Sequence, residues 1–111
     1  MTEPTTKFDW GEICWLANAE LGNSRELSLA RMFIDPGASN DNHRHPNCEE
    51  SIYLVRGQVR HQVGAQIINQ QVGSAGIVPR DTPHRSTNVG TDAVELILAY
   101  SWEARAFVLE K

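Results

Sequence analysis

"ESIYLVRGQVRHQV", residues 50–63, is rich in β-forming residues and punctuated by a single glycine, Gly57. Ile, Tyr and Val carry the apolar positions, and such side chains suit a pleated strand. The stretch reads as a hairpin-like pair of strands broken at Gly57. Working outward, "AQIINQQVGSAGIVPRDTPH" (65–84) gives two more short strands with glycine and proline breaks. "HRSTNVGTD" (84–92) is a strand entering a turn, "AVELILAYSW" (93–102) the longest apolar strand, and "RAFVLE" (105–110) a last short one. Upstream, "ELSLARMFIDPG" (26–37) has near period-two alternation and ends at the turn pair Pro36-Gly37. "FDWGEICWLANAEL" (8–21) is irregular and aromatic, an extended segment covering one end of the core. Short strands recur with turn signals about every 8–12 residues and no window carries a helical stripe, which predicts an all-β sandwich or barrel.

The chain has 111 residues, 41% hydrophobic and 22% charged, which suits one soluble domain with a real core. Residues 1–7 carry no apolar anchor before Phe8 and are expected to be a disordered tail, with the domain over 8–111. The net charge is −4 and only two lysines occur, Lys7 and Lys111. That balance argues against a phosphate-backbone binder, so no nucleic-acid partner is expected. No apolar run approaches the roughly 20 residues of a membrane helix, and the N-terminus does not read as a signal peptide. A cytoplasmic location without membrane contact is the expectation. Cys14 and Cys48 are too few for a disulfide framework; Cys14 reads as a buried thiol and Cys48 as a loop thiol. Glycines fall between strands rather than before helices, which excludes a P-loop or dinucleotide fingerprint.

The chemistry gathers in "HRHPNCEE", residues 43–50. On a strand His43 and His45 project to one face, so both imidazoles can converge. Glu49 and Glu50 follow, and His84 lies in "PRDTPHRSTN". Three imidazoles and a carboxylate suffice for a divalent transition metal. His61, in "VRHQV", has no partner nearby in sequence and reads as an exposed or hydrogen-bonded strand histidine. By parity, Ile52 and Leu54 share the face of Glu50, and Ser86 and Asn88 that of His84. Arg31, in the strand before Pro36-Gly37, is the candidate cation for a substrate carboxylate.

From Gly37 the chain reads G-x5-H-x-H-x4-E-x6-G, ending at Gly57; from Gly73 it reads G-x5-P-x-D-x2-H-x3-N, ending at Asn88. In these two motifs the chain resembles the cupin family. Asp81 stands where that family usually has glycine, and aspartate tolerates left-handed backbone better than most residues. The resemblance implies a single-domain antiparallel jelly-roll β-barrel with the site inside its mouth. It also implies His43, His45, Glu50 and His84 as ligands of one divalent transition metal (Mn, Fe, Ni, Co or Zn). Glu50 is preferred to Glu49 because it keeps six residues before Gly57. The expected function is a metal-dependent enzyme on a small anionic or oxygen-rich molecule, either a dioxygenase or a Lewis-acid isomerase or lyase. The alternative is a metal-bound cupin that only binds or senses a small molecule. A homodimer is expected, with Phe8–Leu16 as its contact, because a small sheet leaves edges to cover.

Overall fold

The computed structural model describes residues 4–110, and among them there is no α-helix. Eleven strands follow in chain order: β1 (Thr5–Phe8), β2 (Gly11–Ala17), β3 (Ser28–Ile34), β4 (His43–Arg44), β5 (Glu50–Arg56), β6 (Val59–Val63), β7 (Gln66–Gln70), β8 (Ala75–Val78), β9 (His84–Asn88), β10 (Val94–Tyr100) and β11 (Val108–Leu109). They form a six-stranded sheet in the order β1-β2-β3-β10-β5-β8 and a five-stranded sheet in the order β11-β4-β9-β6-β7. Neighbours pair antiparallel throughout. The fold is the all-β cupin-type jelly roll expected from the sequence. Its two sheets do not join into a closed barrel, so it is an open sandwich.

Period two sets the core. Along β3, Ala30, Met32 and Ile34 point inward; along β10, Val94, Leu96 and Leu98; along β5, Ile52 and Leu54. Burying each of the larger aliphatic side chains stabilises the fold by about 1.5–3 kcal/mol. The parity reading of β5 and β9 holds: Glu50, Ile52 and Leu54 are buried together, as are His84, Ser86 and Asn88.

Two expectations are corrected. Residues 50–63 do not form a paired hairpin: β5 pairs with β10 and β8, and β6 pairs with β7 and β9. The chain crosses between sheets at Gly57, whose φ is 99° and where an added Cβ would lie 2.8 Å from Val94 Cγ2. Only glycine combines that backbone with that approach. The tail predicted for residues 1–7 is also too long. Thr5, Thr6 and Lys7 belong to β1, which pairs with β2 along the sheet edge; residues 1–3 lie outside the described residues. An edge strand is held by main-chain hydrogen bonds and needs no apolar anchor, which the composition could not reveal.

Candidate metal centre

His43, His45, Glu50 and His84 are all buried, and one ligand atom from each lies within 4.8 Å of the others. β4 and β9 meet at a single register pair, His43 opposite His84. β5 begins at Glu50, facing them from the other sheet. Between these elements the main chain of Asp81 donates to the His45 carbonyl at 2.9 Å. Asp81 takes φ 61°, the one positive φ at a non-glycine among the described residues, and its carboxylate pairs with Arg44. Aspartate therefore serves the turn where the motif usually has glycine. Glu49 is exposed and its N–H donates to Ser101 Oγ, so Glu50 is the acid of the cluster.

The hydrogen bonds fix each ring. Nδ1 of His43 lies 2.6 Å from the Asp41 carbonyl, that of His45 2.8 Å from Ala106, and that of His84 2.9 Å from Thr82. A carbonyl only accepts, so each Nδ1 carries the proton and each neutral ring offers its Nε2 lone pair. His84 Nε2 lies 2.9 Å from Glu50 Oε1 and His45 Nε2 3.3 Å. His45 Nε2 is fully buried yet has no hydrogen-bond partner. Lone pairs and a carboxylate aimed at one another repel unless a cation lies between them, and an orphaned buried nitrogen is costly. The donor set thus fits a divalent metal, with carbonyl-bound imidazoles as orienting partners.

The titration behaviour follows from the crowding. Burial, together with the neighbouring His84 and His45, lowers the His43 pKa to about 4. Burial pushes the Glu50 carboxyl up, but His45 and His84 beside it more than offset this and hold it well below the usual carboxylate range. His84 is raised: burial opposes its charge, and the Glu50 carboxylate outweighs burial.

A cupin-domain family profile matches residues 30–100. The chain belongs to the cupin family. Among curated proteins, this cupin is 32% identical over 74 residues to oxalate decarboxylase OxdC of Bacillus subtilis, covering 62% of this chain and 19% of that one. It is 30% identical over 95 residues to germin-like protein 3-8 of Oryza sativa subsp. japonica, covering 77% and 41%. The chain thus spans less than half the length of either relative. Among solved structures, a Lactobacillus farciminis oxalate decarboxylase formate complex superposes with TM-score 0.89 over 96% of this chain and 33% of that one, at 22% identity. A deletion mutant of the Bacillus subtilis OxdC gives TM-score 0.88 over 97% and 30%, at 26% identity. With its buried His and Glu cluster, the protein is a metal-binding cupin.

Beside the cluster lies a cavity of about 160 Å³. Ile13, Met32 and Leu98 form an apolar wall, Phe8, Trp10 and Phe107 surround it, and His43, Glu50 and His84 open onto it. Tyr100 also lines it, buried against Glu50; burial first, and then that charge, keeps its phenol protonated. Cys48 is buried in the apolar core rather than among the four ligands, and burial raises its thiol pKa. His61 is buried and hydrogen-bonded: Gln70 donates twice to main-chain carbonyls, so its Oε1 accepts from His61 Nε2 at 2.6 Å. His61 Nδ1 then accepts from Ser86 Oγ at 2.7 Å.

Arg31 is not part of this cavity. Ala30 and Met32 point inward, so Arg31 projects from the opposite face of β3, where it lies 4.0 Å from Glu95. The cation that lines the cavity is Arg105, from the segment after β10, which the sequence reading missed. Its guanidinium sits over the rings of Trp15, Tyr100 and Phe107 at 5.0, 5.2 and 5.3 Å. Phe107 in turn stacks on His43, with centroids 4.7 Å apart. The only signal was composition: a basic residue two positions before an aromatic one in "RAFVLE".

Proposed function

We propose that this cupin holds one divalent transition metal (Mn, Fe, Ni, Co or Zn) through His43, His45, His84 and Glu50, and acts as an enzyme on a small anionic or oxygen-rich molecule. The observation that carries this reading is the set of three imidazoles with Nδ1 committed to carbonyls, above all the orphaned His45 Nε2. When bound, the ion supplies Lewis-acid polarisation for an isomerase or lyase, or, as iron, the redox chemistry of a dioxygenase. Around it, the wall of Ile13, Met32 and Leu98 excludes water, and Phe107 holds the His43 ring from the open side. The likeness to oxalate decarboxylases, one of them solved as a formate complex, supports a small carboxylate as the substrate class.

A second reading, a metal-bound cupin that binds or senses without turnover, is favoured by one feature. Among the described cavity-lining residues, the only acid or imidazole outside the cage is the exposed Asp41, so no general base is placed inside. Elemental analysis of protein purified without added metal tests the metal; about one ion per chain is expected, and below about a tenth would sink it. Incubation with a panel of small carboxylates, followed by NMR and oxygen uptake, separates the two readings: substrate loss supports the enzyme, saturable binding without loss the sensor. We further propose a homodimer through the Phe8–Leu16 edge, supported by the exposed edge strand β1 and the Phe8 ring stacked on Trp10. Light scattering that gives a monomer mass at micromolar concentration counts against it.

A further inference from the structure

Asn40 lies three residues before His43 and lines the same cavity, although only 6% of its surface is exposed. Its Oδ1 accepts from the Ser86 main-chain N–H at 2.7 Å. A main-chain N–H can only donate, so the orientation of the amide is fixed and Nδ2 is the group left over. That Nδ2 has no partner among the described residues, and it is not sealed from solvent as His45 Nε2 is. A nine-tenths-buried amide therefore aims two unused N–H donors into the space beside the cage.

Arg105 enters the same cavity from the segment after β10. It has no carboxylate partner among the described residues, because the ion pairs of the neighbourhood, Arg44 with Asp81 and Glu110, do not include it. Three aromatic faces hold its guanidinium in place, and its Nη1 lies 3.4 Å from His45 Nδ1. That nitrogen already donates to Ala106, so the contact is an approach of two donors and leaves the guanidinium donors free for something else.

We infer that Asn40 and Arg105 form the anchor that selects the ligand of this cavity: together they hold acceptor oxygens of a small acid whose other oxygens reach the cage. Both groups are donors only, and the cage presents a cation, so what they share is an affinity for anionic or carbonyl oxygen. A divalent ion, Glu50 and Arg105 sum to a charge of about +2, which suits a short dicarboxylate or 2-oxo acid. The cavity, about 160 Å³, has room for such a molecule. Asp41, exposed at the rim, repels a carboxylate left outside and so favours the anionic ends inward. Ser86 offers only lone pairs to the cavity, because its proton is given to His61.

The inference rests on the metal reading above, and one experiment tells their failures apart. Co(II)-loaded protein is titrated with malonate, with neutral malonamide as control, following the Co(II) visible spectrum and the heat of binding. Asn40→Asp keeps the acceptor for the Ser86 N–H but replaces the inward donors with a carboxylate oxygen. Arg105→Gln removes the charge, and Arg105→Lys restores it without the fork. The expected result is a malonate Kd at least tenfold weaker in N40D and R105Q, a smaller loss in R105K, and about one cobalt per chain throughout. Variants that keep their cobalt and bind malonate within twofold of wild type overturn the anchor alone. Loss of cobalt from R105Q and R105K alike makes Arg105 a prop for His45 and overturns its part. A wild type that takes up no cobalt overturns the metal reading and the anchor with it.

Discussion

The inner faces of β10 and β9 have the same period and opposite chemistry. β10 buries Val94, Leu96 and Leu98; β9 buries His84, Ser86 and Asn88. On β10 the inward side chains need only volume and apolarity, and they pack against β3 and β5 on either side. On β9 each inward side chain needs named partners: His84 with Glu50 and Thr82, Ser86 with His61, Asn88 with Ile34, Asp92 and Gly90. The difference teaches that one sheet supplies most of the stability while the other supplies orientation. Damage to the two should therefore show in different measurements.

The sharpest way to separate them is His84→Ala. Its metal affinity should fall by roughly a thousandfold, about 4 kcal/mol, while the metal-free variant stays folded. Equal metal content in wild type and variant by mass spectrometry would break the comparison. Leu96→Ala should do the reverse. It opens a cavity at a fully buried position and should cost about 3 kcal/mol in denaturant unfolding, yet leave metal per folded chain unchanged.

Acidity separates the faces as well. His43 has a folded pKa of about 4 against 6.5 for the free group, so between those values the unfolded chain binds more protons than the folded one. The His43 contribution is fully present above 6.5 and is lost as pH falls toward 4, about 3 kcal/mol for the metal-free protein. His61, also lowered by burial, acts in the same direction. His84 is raised and acts oppositely, its contribution being lost as pH rises through its folded pKa. Bound metal should occupy the site fully at pH ~7.5 and leave it below pH ~6, since protons compete for the same lone pairs. Melting of metal-free wild type and His43→Asn across this range is the check; parallel curves would remove His43 from the account.

The smallest effect is expected in the segment after β10. Asn47 ties it down, with Nδ2 donating to the Ala104 carbonyl at 2.9 Å and Oδ1 accepting from the Ala106 N–H at 2.8 Å. Asn47→Ala should cost about 1 kcal/mol. Because Ala106 orients His45, metal affinity should also weaken, by less than about tenfold. An unchanged metal affinity would mean that the segment holds its place without Asn47.

The ligand cluster was legible because its four members sit in two spaced motifs and each carries its own chemistry. Ile52, Leu54, Ser86 and Asn88 were legible because strand parity carries over from one anchored residue to the next. Arg31 shows where that logic was not applied: its neighbours Ala30 and Met32 already turn it outward. Arg105 and Asn40 were hidden for a different reason. Asn40 depends on a main-chain N–H 46 residues away, which no residue type announces, and Arg105 on the rings of Trp15, Tyr100 and Phe107 and on His45, 60 residues away, which only the fold brings to it. β1 was hidden likewise, since edge pairing depends on backbone and not on side-chain type.

β4 and β9 touch through one residue pair, His43 opposite His84, and 34 residues separate Glu50 from His84. Bringing them together requires the long-range pairings to be made first, and loop closure makes such pairings slow. The ligands are therefore expected to converge late, after the rate-limiting step has been crossed. Interactions formed beyond the transition state retard unfolding and leave the folding rate almost untouched. Metal should accordingly lengthen the lifetime of the native chain without hastening its formation, and a chevron recorded with and without the ion should differ on its unfolding limb alone.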